Sequence, residues 1–290
     1  MAAPIEICDP ADPRLSDFRD LARADRRPDR PGGRGLVIAE GIPVVRRLLA
    51  SRYPLRAILG VASRLETLSG ELHDLAEPVY LASADVMATA VGFHLNRGVL
   101  ASADRLPTVT VERLLDGSAA VDGTGLPLSI GTARRIAVLE GVNDHENLGS
   151  VFRNAAALGV DAILLGPDCS DPLYRRSIRV SMGHVLAVPF AELAASPRFA
   201  AWPDAIRELR AAGFCVLALT PRPDSQALND LDPARYARTA VLVGAEGPGL
   251  SEAALDAADL RVRIPMRPGV DSLNVATAAA IAFAHLAPPM

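Results

Sequence analysis

The sequence predicts an α/β protein in which a small N-terminal α/β domain precedes a larger domain built on a parallel β-sheet. Short apolar segments alternate with helical patterns, which is typical of strands joined by crossover helices. The C-terminal strands are apolar throughout, as expected of a sheet that helices cover on both faces. A Gly/Ser/Thr-rich segment without apolar period, residues 116–132, separates the two halves of the 290-residue chain.

These observations predict an N-terminal domain over residues 1–115, a linker over 116–133 and a C-terminal domain over 134–290. The first 35 residues are polar and rich in turn-forming residues, so they predict an irregular arm. Hydrophobic periodicity then predicts alternating elements. These are strand Leu36–Ala39, helix Pro43–Ala50, strand Ala57–Val61, helix Ser63–Leu75, strand Val79–Leu81, a helix capped by Ser83 and strand Gly98–Ala101.

The alternation is more regular in the C-terminal half. The predicted strands are Ile136–Leu139, Ala162–Leu165, Val185–Val188, Cys215–Leu219, Ala240–Val243 and Leu260–Ile264. The predicted helices are Leu148–Leu158, Tyr174–Met182, Ala205–Ala212, Leu250–Ala258 and Asn274–Leu286, and Gly159 suits the position after the first of them. In such a sheet, ligands bind beyond the carboxyl ends of the strands.

Composition constrains the compartment and the partners. No apolar run approaches the ~20 residues of a membrane span, and the acidic N-terminus does not resemble a signal peptide. The three cysteines are scattered, which favours a reducing, cytoplasmic compartment. The net charge of −4 is not that of a strongly basic nucleic-acid-binding module, although all 30 basic residues are arginine. Two arginine clusters are either solvated surface or RNA contacts: residues 23–34 and residues 175–179.

Three glycine- and asparagine-bearing segments follow predicted strands: residues 143–153, 242–251 and 264–276. In the first, Asn147 is expected to cap a helix. Arg153 shares a helix face with Gly149 near the positive helix end, where it would meet an anion such as a phosphate or pair with a surface carboxylate. His145 and Glu146 lack a second histidine at helical spacing, so we expect no metal site.

The second segment, GAEGPG, is neither a Walker phosphate loop nor a dinucleotide-binding fingerprint. Its glycines and proline predict a rigid turn around Glu246, which could equally stabilise the following helix. In the third segment, Ser272 and Asn274 stand between a strand and the closing helix, where both residue types serve as N-caps. Each segment taken separately could therefore be structural.

Taken together, the segments resemble the three motifs of the SpoU/TrmH family of RNA 2′-O-methyltransferases, in the SPOUT class. NLGSVFRNAAALGVDAILL resembles motif one, LVGAEGPGLS motif two and IPMRPGVDSLNVATAAAIA motif three. In the N-terminal half, LVIAEGIPVVRRLL and HLNRGVLA are similar to a ribosomal-protein-like substrate-binding domain. The resemblance implies a C-terminal domain with a deep trefoil knot, an exception to the usual avoidance of knots, and a homodimer whose interface builds the active site.

The resemblance also implies methyl transfer from S-adenosylmethionine to a ribose 2′-hydroxyl, without a metal, leaving S-adenosylhomocysteine. The implied catalytic residues are Arg153, Asn147, Glu246, Ser272 and Asn274. The implied cofactor-binding residues are Thr220, Gly244, Glu246, Gly249, Ile264, Met266, Ser272 and Leu273. The expected RNA-binding residues are Arg26, Arg27, Arg30, Arg153 and Arg179. Because the pKa of arginine is above 12, a phosphate clamp suits Arg153 better than a general base.

The N-terminal domain favours ribosomal RNA over transfer RNA as the substrate. Two alternatives from other classes are a non-catalytic RNA-binding or ribosome-assembly protein on the same fold and an unrelated nucleotide-binding enzyme. The presence of Arg153, Glu246 and Asn274 argues against the first, and the missing phosphate-binding fingerprints argue against the second. The sequence departs from the family pattern at His145–Glu146, where a proline-bearing dipeptide is common, and at Ser150.

Overall fold

The chain divides into two compact units in the computed structural model, which describes residues 4–21, 35–108, 111, 133–193 and 201–287. The first unit comprises residues 1–107 together with residues 172–187. The second comprises residues 108–171 and 188–290. All but the last residue of the predicted linker 116–133 lies outside the described residues, so the predicted domain boundaries stay a prediction.

The first unit contains a five-stranded mixed sheet. Its strands are β1 (Ile5–Ile7), β2 (Leu36–Glu40), β3 (Leu55–Gly60), β4 (Val79–Ala82) and β5 (Val99–Asp104). The strand order is β1-β4-β3-β5-β2, and only β5 runs antiparallel to its neighbours. Its helices in the N-terminal segment are α1 (Ile42–Leu49), α2 (Ala62–Thr67), α3 (Ser69–Leu72) and α4 (Ala84–Val91). The Ser83 hydroxyl caps α4 as predicted, accepting a hydrogen bond from the Val86 amide.

Two expectations for this unit are wrong. The N-terminal arm includes strand β1, which the polar composition around it concealed. The single helix predicted over Ser63–Leu75 is two helices, interrupted at the fully buried Leu68. The interruption has a local cause, because Ser69 and Gly70 follow directly and both are weaker helix formers than the residues before them.

The segment 172–187 returns to the first unit and carries helix α6 (Arg175–Val180). Arg175 Nη1 lies 2.9 Å from Oε2 of Glu40, whose side chain is only 6% exposed. The same guanidinium lies 4.6 Å from the ring centroid of Phe93. Arg47 Nη1 donates to the carbonyl of Met182 over 2.7 Å. A buried carboxylate needs a partner of opposite charge. The returning segment supplies that partner, because Arg175 pairs with Glu40.

The second unit is built on a seven-stranded sheet with the order β10-β12-β9-β11-β6-β7-β8, in which every pairing is parallel. The strands are β6 (Arg135–Leu139), β7 (Ala162–Leu165), β8 (Phe190–Glu192), β9 (Cys215–Leu219), β10 (Gln226–Ala227), β11 (Thr239–Val243) and β12 (Leu260–Arg263). The helices are α5 (His145–Ala157), α7 (Trp202–Ala211), α8 (Glu252–Ala257) and α9 (Val275–His285). The predicted parallel sheet is therefore confirmed.

Helices cover both faces of this sheet. On one face, alternate strand residues such as Val138, Val216 and Leu242 pack against α7 and α8. On the other, α9 packs on α5 and on β11, and Phe152 and Phe283 are almost completely buried there. This two-sided burial explains why the strands are apolar without alternation.

The prediction of a strand over Val185–Val188 is wrong. Residues His184–Leu186 form a 3-10 turn in the first unit, and the strand of the second unit begins later, at Phe190. Val185 and Leu186 are buried in the turn, and a short apolar run does not distinguish a buried strand from a buried helical turn. The two-residue strand β10 was missed because Gln226–Ala227 has no apolar pattern.

Candidate active site

The three motif segments and Thr220 meet at one edge of the second unit's sheet. Strands β12, β9, β11 and β6 are consecutive neighbours, and all four run in the same direction. The loops that leave their carboxyl ends therefore lie side by side: residues 264–274, 220–225, 244–251 and 140–144.

Hydrogen bonds between side chains join all three motifs. Asn274 Nδ2 donates to Asn147 Oδ1 over 2.7 Å. Asn147 Nδ2 in turn donates to Glu246 Oε2 over 2.8 Å. We call this chain of three side chains the amide relay. It brings together residues separated by 127 and 99 positions in the sequence.

The helix cap fixes the direction of the amide relay. Asn274 Oδ1 accepts from the amides of Ala276 (3.0 Å) and Thr277 (3.2 Å) at the start of α9. With that oxygen engaged, the Asn274 NH₂ group must point to Asn147 and can only donate. Asn147 must therefore present its oxygen to Asn274 and its NH₂ group to Glu246. The orientation of both amides follows from one backbone cap.

Asn147 does not cap α5, contrary to expectation. The helix begins two residues earlier, and Asp144 accepts from the amides of Glu146 (2.9 Å) and Asn147 (2.8 Å). An aspartate is favoured there because its charge faces the positive helix end. With the cap supplied by Asp144, the Asn147 side chain is free for the relay. An acidic residue just before the helical pattern was the signal that identifies this cap.

Arg153 lies on α5, exposed, but not near the start of the helix as expected. It is the ninth residue of α5, beyond the first turn, where the helix end exerts its field. Among the described residues, no carboxylate or other polar group is within hydrogen-bond or ion-pair distance of its guanidinium, so the surface carboxylate considered from the sequence is not found. One residue further on, Asn154 Nδ2 donates to the carbonyl of Ala276 over 2.9 Å and holds α5 against α9.

The motif-two loop is sterically tight at its base. A Cβ built on Gly244 would lie 2.3 Å from the carbonyl carbon of Gly249 and 2.3 Å from the amide nitrogen of Leu250, so only glycine fits. The Gly249 amide donates to the carbonyl of Ala245 over 3.0 Å and closes the loop. Glu140, which sequence reasoning missed, accepts from the Ser251 amide over 3.1 Å and ties this loop to the end of β6.

The remaining predicted residues of this edge are accessible. Thr220, Ile264 and Met266 are half-buried, and Leu273 is exposed. Ser272 does not join the amide relay, because its hydroxyl donates to Asp271 over 3.1 Å. Glu246 lies in the loop, and Ser251 caps the following helix, so Glu246 is not a helix-stabilising acid.

The structure describes two of the predicted RNA-binding arginines, Arg153 and Arg179. Arg179 lies half-exposed on α6 in the first unit, and Arg26, Arg27 and Arg30 lie outside the described residues. In the described ranges, no three histidine, cysteine or acidic side chains converge as metal ligands would. Every helix described is too short or too polar to cross a bilayer.

Cys169 lies beside the same strand end. Its thiol donates to the carbonyl of Leu139 over 3.4 Å. The pKa of this thiol is raised to about 11, chiefly by burial and to a smaller extent by the nearby carboxylates of Asp168 and Glu140. Because only the thiolate is a good nucleophile, Cys169 is a structural residue and not a reactive one.

The known proteins that this chain resembles are RNA methyltransferases. Residues 134–284 match the SpoU rRNA Methylase family, and the chain belongs to it. An uncharacterized tRNA/rRNA methyltransferase of Mycobacterium tuberculosis is 54% identical over 279 residues, covering 96% of this chain and 90% of that protein. The 23S rRNA (guanosine(2553)-2′-O)-methyltransferase of Bacillus subtilis is 31% identical over 157 residues, covering 54% of this chain and 59% of that protein.

Solved structures agree with this assignment at the level of the fold. An AdoMet-bound rRNA methyltransferase from Sinorhizobium meliloti superposes with a TM-score of 0.72 at 23% identity, over 97% of this chain and 96% of that one. The SpoU methyltransferase AviRb from Streptomyces viridochromogenes, in complex with AdoMet, superposes with a TM-score of 0.72 at 20% identity, over 94% and 97%. The family resemblance of the three motifs is thus confirmed.

Proposed function

We propose that this protein transfers a methyl group from S-adenosylmethionine to a ribose 2′-hydroxyl of ribosomal RNA. The observation that carries the proposal is the amide relay, which joins one polar residue from each motif at the strand-end edge. A structural role alone would not require three motif residues to share one hydrogen-bonded chain. The similar Bacillus subtilis protein is named a 2′-O-methyltransferase, which supports the same chemistry.

Arg153 binds the phosphate next to the target ribose in this proposal. Its guanidinium is exposed and has no polar partner among the described residues, so it is available for a bidentate contact with an anion. The amide relay positions the Glu246 carboxylate, and this carboxylate holds the ribose or the Arg153 guanidinium in the reacting geometry. Ser272 contributes its hydroxyl oxygen as an acceptor from the motif-three loop, since its proton is donated to Asp271.

The strand-end loops fit S-adenosylmethionine. When bound, this cofactor supplies the electrophilic methyl group that the ribose oxygen accepts. Ile264, Met266 and Leu273 offer apolar surface for an adenine ring, and Thr220 offers a hydroxyl beside them. A Cβ built on Gly249 would meet no described atom within 4 Å, so the loop leaves open space for a ligand there, while Gly244 keeps the base of the loop in place.

Ribosomal RNA is favoured over transfer RNA because the 23S rRNA enzymes among the relatives carry that substrate in their names. The tRNA/rRNA name of the mycobacterial relative keeps transfer RNA as the alternative. A non-catalytic RNA-binding role is the second alternative, and the intact relay argues against it.

The further features of the proposal are a trefoil knot in the second unit, a homodimer through the C-terminal domain and a cytoplasmic location. Val270, Leu273 and Ile281 are apolar side chains with exposed fractions of 52%, 38% and 38%, and a partner subunit would cover them. All three cysteines are free thiols, which supports a reducing compartment.

The test uses labelled S-adenosylmethionine with unmodified transcripts of large-subunit ribosomal RNA and of transfer RNA. Label in alkali-resistant dinucleotides reports 2′-O-methylation, because a methylated 2′-oxygen cannot cleave the adjacent phosphodiester. We expect label in the ribosomal transcript and a loss of at least about a hundredfold in Arg153→Ala. Arg207→Ala is the matched control, since Arg207 is an exposed arginine of the same unit, paired to Asp204 on its own helix.

Label in transfer RNA alone would overturn the substrate preference and keep the chemistry. Label that is lost on alkaline hydrolysis would show a different acceptor atom. Cofactor binding without label in any RNA would favour the non-catalytic alternative, and equal loss in both arginine variants would remove Arg153 from the site.

A further inference from the structure

A second group of arginines lies at one end of the first unit's sheet. Strands β2 and β3 end there, and β5 begins there, so Gly41, Val61 and Gly98 are neighbours. The Gly41 amide donates to the carbonyl of Val99 over 3.0 Å. The Val61 amide donates to the carbonyl of Gly98, also over 3.0 Å. We call the arginines at this end, Arg64, Arg97 and Arg175, the arginine face.

Two glycines seat the side chains of the arginine face. A Cβ built on Gly41 would lie 2.8 Å from Cδ of Arg97, and one built on Gly98 would lie 3.2 Å from Cγ of Arg64. The arginine stems therefore lie against bare backbone at positions with φ of +92° and +65°. Side chains held in this way lose less conformational entropy when they bind a ligand.

Two of the three charges of this face, those of Arg64 and Arg97, are not neutralised. Arg175 is paired with the buried Glu40. Arg64 is exposed and Arg97 half-exposed, and within the described ranges neither side chain has a carboxylate partner or a hydrogen bond. Other arginines of this unit do have carboxylate partners, for example Arg56 with Asp17. The net charge of the whole chain conceals this local excess.

The returning segment 172–187 contributes to the same end of the sheet. Arg175 reaches Glu40 at the end of β2 and stacks over Phe93 in the loop that leads to Arg97. One turn further along α6, Arg179 is half-exposed and also makes no described polar contact. The arginine face is thus assembled from segments on both sides of motif one in the sequence.

We propose that the arginine face binds the phosphate backbone of structured RNA, and that Arg64 and Arg97 make its principal contacts. This proposal rests on the proposed function, because it assigns the surface that holds the substrate of the same enzyme. Arginine forks bind phosphate oxygens bidentately, and rigidly seated arginines suit an RNA of fixed shape. The glycine seats make the face a built feature and distinguish it from scattered solvated charge.

The experiment measures binding and methyl transfer by the full chain, with the ribosomal and transfer RNA transcripts described above. The test variant is Arg64→Gln/Arg97→Gln, with each single substitution measured alongside. The control for a single substitution is Arg52→Gln, which removes one positive charge near the start of β3, at the other end of the strand. We expect the double variant to bind RNA about tenfold more weakly, and the slope of log affinity against log salt to fall by about 1 to 2. Its kcat at saturating RNA should stay near that of the wild type, and Arg64→Lys/Arg97→Lys should recover much of the affinity.

The outcomes separate the two proposals. If the wild type methylates RNA and the double variant matches it in affinity and salt slope, the arginine face is not the RNA surface and would fit an acidic protein partner instead. If the lysine pair is as weak as the glutamine pair, phosphate charge is not what the face recognises. If the wild type methylates neither RNA, the proposed function itself fails. Equal melting temperatures of the variants exclude unfolding as the cause of lost binding.

Discussion

Replacing Asn274 with aspartate should break the amide relay while preserving the helix cap. Aspartate caps helices as well as asparagine does, so the carboxylate can still accept from the amides at the start of α9. Its second oxygen, however, then faces Asn147 Oδ1, where a 2.7 Å hydrogen bond stood before. Two acceptors at that distance repel each other.

Flipping the Asn147 amide does not rescue the relay, because it would place Oδ1 against Glu246 Oε2, now 2.8 Å from Nδ2. One link is therefore lost in either orientation. A neutral hydrogen bond contributes about 1 kcal/mol and one to a charged group about 1.5–3 kcal/mol. Since each 1.36 kcal/mol of lost transition-state stabilisation is tenfold in rate, we expect kcat to fall about tenfold to a hundredfold. The relay is open to solvent, so the free energy of unfolding should change by less than about 1 kcal/mol.

The assay is methyl transfer at saturating RNA and cofactor, measured across pH with the wild type alongside. In the Asn274→Asp variant, only the protonated, neutral carboxyl can donate to Asn147. The activity of the variant relative to the wild type should therefore rise as the pH falls through the pKa of the introduced carboxyl. Asn274→Ala, which loses cap and link together, should also unfold about 1 kcal/mol more easily. A neutral-pH kcat in Asn274→Asp equal to that of the wild type, with activity lost only in the alanine variant, would refute the relay and leave the cap as the sole role.

Three further outcomes follow from steric fit, buried charge and thiol burial. Gly244→Ala should lower both the melting temperature and the affinity for S-adenosylmethionine in calorimetry, because its methyl group would meet backbone 2.3 Å away. Gly70→Ala is the control, and it should lower neither quantity because there is open space around Gly70. Arg175→Ala should reduce the free energy of unfolding in urea by about 3 kcal/mol, since it leaves the Glu40 carboxylate buried without its charge partner; an effect of Arg175→Ala no larger than that of a surface arginine substitution would contradict this. Cys169 should resist iodoacetamide at pH 8, where a thiol of pKa about 11 is only about a thousandth ionised, and should react once urea unfolds the protein; rapid native-state alkylation seen by mass spectrometry would contradict the assignment.

Local pattern was sufficient for much of the sheet and for two helix caps. The strand Cys215–Leu219 was predicted residue for residue, because a short apolar run bounded by Gly and Pro permits few alternatives. Ser83 was predicted as a cap, and capping was the structural alternative considered for Ser272 and Asn274, of which Asn274 caps α9. Both caps were within reach because capping depends on neighbouring residues only. The placement of the motifs at strand ends followed from the strands themselves.

What could not be predicted depends on contacts between distant residues. Nothing near Asn147 in the sequence indicates that its partners are Glu246 and Asn274. The return of residues 172–187 to the first unit depends on the pairing of Arg175 with Glu40, and the sequence pattern carries no sign of it. The roles of the site residues stay predictions until the variants are measured.

The order of strands in the second unit also determines when the site comes into existence during synthesis. Strand β6 can pair with β7 almost at once, but its other neighbour, β11, is made about a hundred residues later. Pairings between such distant segments form late and slowly. The relay needs Asn274, so a nascent chain that has not yet released Asn274 from the ribosome holds no assembled site. Methyl transfer is therefore a stringent reporter of completed folding, and slow-folding variants should gain activity only after their secondary structure has formed.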